Sequence, residues 1–151
     1  MKNDNIIAEK SKSFALRIIK LYKYLSNEQN EYVLSKQILR SGTSIGANIR
    51  EAIRGQSSAD FYAKMNISLK ESEETLYWLE LLHESGYIET AHFNSIYDDC
   101  KSITKILMSI TKSQKNKERV NPIRCYLACQ LYKFSPAIAH CELRIANYTK
   151  G

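Results

Sequence analysis

Between residues 93 and 110 the side chains Phe93, Ile96, Cys100, Ile103, Leu107 and Ile110 alternate steps of three and four without a slip. An α-helix turns once every ~3.6 residues, so this spacing gathers all six on one seam that must be buried against other helices. A strand of the same sequence would scatter them over both faces. Three earlier segments obey the same period. Phe14, Ile18, Leu21 and Leu25 mark a helix from about Ile7 to Leu25, which SNEQNEY breaks. A second helix is expected from about Glu31 to Arg54, stopped by Gly55. In QSSADF, Ser57 followed by Asp60 resembles a capping box and opens a third helix, which reaches Ser85 and is closed by Gly86. Its apolar face carries Phe61, Met65, Leu69, Leu76 and Leu79, while Lys70, Glu71, Glu73, Glu74 and Glu80 fall elsewhere on it.

Five glycines and two prolines in 151 residues leave few breaks between these segments. The fold class expected is all-α: an antiparallel up-down-up-down four-helix bundle over residues 1–115. Residues 116–151 hold both prolines and three of the four cysteines and lack a continuous apolar stripe, apart from a short helix that Asn121 and Pro122 could start and Pro136 would end. They are expected to form a basic C-terminal appendage, partly disordered or loosely docked, or else covering a face of the bundle.

The stretch RSGTSIGANIREAIRG, residues 40–55, holds three of the glycines and three hydroxyl residues. It is not a phosphate loop, because Gly46 is followed by Ala47 and Asn48 where a P-loop needs lysine and then Ser or Thr. Nor does a strand-like run precede it, as the dinucleotide fingerprint requires. On a helix, taking Lys36 as zero, Arg40, Arg50 and Arg54 lie within about 40° of it, and Leu34, Ile38, Ile45, Ile49 and Ala52 within about 40° of the opposite pole. The segment is therefore a helix with a basic stripe outside and an apolar stripe inside.

Gly42 and Gly46 fall on a flank between the stripes, one turn apart. Each costs roughly 1 kcal/mol against alanine in a helix interior, which is tolerated where another helix must come close. Gly46 is expected to be the tight position and Gly42 to accept alanine. Asn48 lies at the border of the apolar face, where its amide needs a partner. It either fixes register in the bundle or at a subunit contact, or it touches a ligand.

The net charge of +6 is unevenly spread. Residues 1–54 carry ten Lys/Arg against five Asp/Glu, residues 55–115 six against nine, and residues 116–151 six against two. A basic first half suits nucleic acid, with Arg17, Lys20, Lys36, Arg40, Arg50 and Arg54 as phosphate contacts. The same asymmetry suits subunits that dock basic face to acidic face. The chain has no apolar run near 18 residues and its start, MKNDNIIAEKSK, has no secretion-signal stretch, so a cytoplasmic protein with reduced cysteines and no membrane contact is expected.

No catalytic constellation is present, so an enzyme is not expected, nor any cofactor. Cys125, Cys129, His140 and Cys141 are a weak zinc candidate, because the adjacent His140 and Cys141 would need a tight turn to bind together. Glu80 and His83 form a single Glu-x-x-His where a di-iron bundle needs two. No metal site is therefore assigned. His83 and His92 have no motif partner, and Cys100 reads as a small buried hydrophobe.

SIGANIREA, a short gap and then ADFYAKMNISLKESEETLYWLELL resemble the small four-helix bundle proteins encoded in intervening sequences of bacterial large-subunit ribosomal RNA genes. Their relative, the accessory variability determinant of diversity-generating retroelements, is similar in pattern. The resemblance spans roughly residues 10–113 and places Ser44, Asn48, Ile49 and Glu51 in the signature of the second helix. This chain departs from the commonest form, N-I-A-E-G, with Arg50 and Ala52 in place of Ala and Gly. The resemblance implies a ring-shaped homopentamer whose basic surface engages RNA or a reverse transcriptase complex. Gly42, Ser44, Gly46, Asn48 and Glu51 are the expected helix-packing or subunit-contact positions. The function expected is a non-enzymatic, oligomeric RNA-binding accessory protein. The alternative is a structural protein–protein interaction module, such as a reverse transcriptase accessory subunit.

Overall fold

The computed structural model describes residues 2–119, and the side chains of 6–113. Four helices account for them: α1, Lys2–Asn27; α2, Leu34–Ile53; α3, Ser58–Glu84; and α4, Thr90–Arg119. Met1–Gln114 forms one compact unit. Cys125, Cys129, His140, Cys141 and the short helix expected before Phe134 lie outside the described residues.

Every pair of neighbouring helices is antiparallel, as the contacts between them show. Gly42 faces Ile18 and Gly46 faces Ser11, so α2 runs against α1. Ser68 donates to the Ile45 carbonyl at 2.9 Å, and the Thr75 and Ser41 hydroxyls are 3.0 Å apart, so α3 runs against α2. Tyr97 donates to Glu80, and Thr104 meets Ser72, so α4 runs against α3. Lys10 reaches Ser102 and Arg17 reaches Ser95, so α1 runs against α4 and closes the ring. This is the up-down-up-down four-helix bundle.

Most of the expected core is buried, with additions, while Leu21, Leu34, Phe61, Leu69, Phe93 and Ile110 are partly buried against it. Phe14, Ile18 and Leu25 of α1, Ile38, Ile45 and Ile49 of α2, Met65, Leu76 and Leu79 of α3, and Ile96, Cys100, Ile103 and Leu107 of α4 are buried. Burying each large aliphatic side chain contributes about 1.5–3 kcal/mol. The first helix begins five residues before the expected Ile7, which is itself fully buried. Unexpected are the hydroxyls inside: Ser68, Ser72 and Thr75 of α3, with Ser41 and Thr104, are all buried. Each is hydrogen-bonded, so no unpaired donor offsets the gain from close helix approach.

The helix ends follow local chemistry, with one correction. Ser57 accepts a hydrogen bond from the Asp60 N–H at 3.1 Å, the expected cap of α3. At the other end Gly86 has φ 79°, and the Gly86 and Tyr87 N–H groups donate to the His83 and Leu82 carbonyls, a Schellman closure in which glycine avoids the cost of a left-handed residue. The second helix does not begin at Glu31. It begins at Leu34, and the buried Glu31 carboxylate accepts the N–H groups of Val33 at 2.9 Å, Leu34 at 2.8 Å and Ser35 at 2.6 Å. An anion there satisfies N–H groups that have no partner within the helix and lies at the favourable end of its dipole.

Candidate nucleic-acid interface

The outward side of α2 is basic along its length. Lys36, Arg40, Arg50 and Arg54 are all exposed, on the face opposite Ile38, Ile45 and Ile49. From Lys36 to Arg54 the rise of the helix gives about 27 Å. On α1, Lys20 is exposed in the row Lys12, Leu16, Lys20 and Lys23, spaced four, four and three residues, and all four are exposed. Lys12 and Lys23 were not singled out in the sequence. The same period that located the core of α1 would have found them on its reverse.

The six expected phosphate contacts are not equivalent. Among the described residues, Lys20, Lys36, Arg50 and Arg54 make no ion pair. Arg40 donates to Glu74 of α3 at 3.3 Å, and the same carboxylate oxygen accepts from Trp78 Nε1 at 3.1 Å. Glu71 beside them has its pKa raised by burial and by the Glu74 charge, against the opposing effect of Arg40. Arg17 faces away from this surface, into the α1–α4 seam. There it pairs with Asp99 and donates to the Ser95 carbonyl and hydroxyl at 3.1 and 2.9 Å. Arg17 therefore serves the join between α1 and α4, and the exposed cations without an ion pair among the described residues include Lys20 on α1, with Lys12 and Lys23 in its row, and Lys36, Arg50 and Arg54 on α2.

The expected packing positions divide likewise. Gly42 is buried against Ile18, and Gly46 passes the backbone and hydroxyl of Ser11, so the thin flank of α2 accommodates α1. The order is the reverse of that expected. A β-carbon on Gly42 would lie 2.8 Å from Ile18 Cγ1, whereas one on Gly46 would come no closer than 3.5 Å to Ser11. Asn48 donates to the Ser44 carbonyl one turn back in its own helix at 2.9 Å, so within the subunit this amide bonds locally and does not tie α2 to another helix. Glu51 pairs with Lys64 of α3 at 2.6 Å, and this bond raises the Lys64 pKa.

The remaining reactive groups are quiet. Cys100 lies 3.6 Å from the Ser72 carbonyl, and burial pushes its thiol up to about 12. His83 packs on Phe93 with ring centres 4.3 Å apart, and His92 is exposed. Among the described residues no cluster of three His, Cys, Asp or Glu could hold a metal, and no helix is long and apolar enough to cross a membrane.

Residues 3–109 match the family model of the 23S rRNA-intervening sequence protein. Among solved structures, the bundle is similar to that of a protein of unknown function from the S23 ribosomal protein family of Bacteroides thetaiotaomicron. The identity is 60%, the match covers 74% of this chain and 99% of that one, and the TM-score is 0.72. A search of curated proteins found no match. A match over most of the bundle, together with a 60% identical chain of the same fold, leads to one conclusion: this chain belongs to the 23S rRNA-intervening sequence protein family.

Proposed function

We propose that this protein is a non-enzymatic accessory protein that binds RNA through the outward face of α1 and α2. The observation that carries this reading is a set of exposed cations without ion pairs among the described residues, Lys20 on α1 and Lys36, Arg50 and Arg54 along α2. Such a face offers phosphate contacts and little to read a base edge, so it suits sequence-independent binding. The family's description in terms of 23S rRNA supports RNA as the nucleic acid. In this reading the protein acts as a homo-oligomer, the pentameric ring of the resemblance, in the cytoplasm.

Filter binding of a ribosomal RNA fragment at two ionic strengths tests it. Each neutralised phosphate releases counterions, so affinity is expected to fall steeply between about 50 and 200 mM salt. Arg50→Glu with Arg54→Glu is expected to abolish binding while leaving the mass in light scattering unchanged. Absence of binding at low salt overturns the reading.

A second reading, a protein–protein module such as a reverse transcriptase accessory subunit, draws on the acidic residues of α3. There the basic stripe would order the ring by meeting the α3 carboxylates of the next subunit. The Arg40–Glu74 pair weakens it, because part of that complementarity is used within one subunit. In this second case the Arg50 and Arg54 reversals dissociate the oligomer.

A further inference from the structure

On the side of the bundle opposite the basic face, α3 and α4 leave a groove of about 450 Å³. Leu76 and Thr104 form its floor, and Tyr77 and Met108 stand at its edge with 53% and 39% of their surface exposed. Its walls carry opposite charge: Glu73 and Glu80 on α3, Lys101 and Lys105 on α4. Among the described residues no ion pair joins the two walls. Tyr97 stands between them, donating to Glu80 at 2.6 Å while its ring lies under Lys101 Nζ, 4.9 Å from the centroid. The groove therefore keeps an apolar strip between an acidic rail and a basic rail, each spanning at least one helical turn.

We propose that this groove docks an amphipathic helix of another protein, with an apolar ridge flanked by basic residues on one side and acidic residues on the other. Helix-in-groove recognition needs apolar anchors about every three to four residues, which Leu76, Tyr77 and Met108 are placed to receive. The two rails set direction, because turning the docked helix end for end exchanges its flanks and brings like charges together. A second copy of this chain is a poor occupant. The outward sides of α1, around Leu16, and of α2, along Arg50 and Arg54, are basic, so a copy presenting them could match the Glu73 and Glu80 wall but would set cations against Lys101 and Lys105 on the other. The site lies apart from the RNA face, so both can be filled at once and neither proposal depends on the other.

The test uses the full chain and two fluorescein-labelled helical peptides of about 15 residues. Both carry leucine every three to four positions. One has a lysine flank and a glutamate flank, matched to the rails, and the other has glutamate on both flanks, so that in either direction it sets like charge against Glu73 and Glu80. Fluorescence anisotropy is expected to show micromolar binding of the matched peptide and about tenfold weaker binding of the other. Met108→Glu is expected to weaken the matched peptide about tenfold, and Glu73→Lys, which removes an acid from the α3 rail, to shift the preference toward the peptide with glutamate on both flanks. Equal affinity for both peptides reduces the groove to unspecific apolar contact and overturns the proposal. So does absence of binding together with a Met108→Glu protein of lower assembly mass, which makes the groove a contact between copies of this chain, or with one of unchanged mass, which leaves it without an occupant.

Discussion

Gly42 of α2 lies so close to Ile18 of α1 that a methyl group on its α-carbon would stand 2.8 Å from Cγ1 and 3.0 Å from Cγ2 of that fully buried side chain. Isoleucine branches at Cβ and has little rotamer freedom in a helix, so the contact is stiff. Gly42→Ala is expected to lower stability by about 1–2 kcal/mol, the overpacking cost less the helix-propensity gain. Gly46→Ala meets only ordinary contact distances at Ser11 and is expected to raise stability by up to about 1 kcal/mol. Thermal denaturation of the two variants should therefore give shifts of opposite sign, and a raised melting temperature for Gly42→Ala would show that Ile18 yields.

Glu31→Gln separates the charge of the α2 cap from its shape. Burial pushes the Glu31 pKa up, but the backbone N–H groups of Leu34, Ser35 and Val33 outweigh it and leave the carboxyl below its usual 4.5. A group depressed in the folded state stabilises the protein fully above its unfolded pKa, and that contribution fades as pH falls through the folded value. The wild type is thus expected to exceed the variant by about 1–2 kcal/mol at neutral pH. Urea unfolding from pH 7 to pH 3 should show the gap constant above about pH 5 and closing below the unfolded pKa. A gap independent of pH would mean that shape alone makes the cap.

Cys100 is expected to resist alkylation in the native protein. With its thiol pushed up to about 12 against an ordinary 9.0, the reactive thiolate is about a thousandfold scarcer at pH 8, before the shielding of the seam is counted. Peptide mapping after iodoacetamide treatment should find Cys100 unmodified until denaturant is added. Rapid native labelling would show that the α3–α4 seam opens.

Arg17 and Lys36 are expected to separate stability from binding. Arg17→Ala removes the bonds to Asp99 and Ser95 and should cost about 0.5–1 kcal/mol of stability, a value held down by the exposure of the pair, with little effect on RNA. Lys36→Gln should leave the melting temperature unchanged and lower the salt slope of RNA binding by about 1. Equal loss of RNA affinity in both variants would place the α1–α4 seam in the interface.

Much of the fold is legible in the residues because it depends on local period. Phe93 to Ile110 form one seam on any helix, Lys36 to Arg54 lie opposite Ile38 and Ile49 on any helix, and Ser57 and Gly86 act on backbone groups three to five residues away. The basic face of α2 belongs to the same class, and the overlooked Lys12 and Lys23 of α1 were legible by the same rule.

What the sequence alone determined, then, is which segments are helical and which stripe of each turns inward, since 3.6-residue periodicity and capping act within a turn or two. Only the tertiary structure decided which helix each flank meets. Ser68, Ser72 and Thr75 belong to no apolar stripe, yet they are buried, with Ile45, Thr104 and Ser41, more than twenty residues away along the chain, as their partners. Arg17 left the basic face because ring closure set α4, with Asp99 and Ser95, beside it. Gly42 rather than Gly46 became the tight position because of where Ile18 of a neighbouring helix comes to rest, a distance that no spacing within α2 encodes.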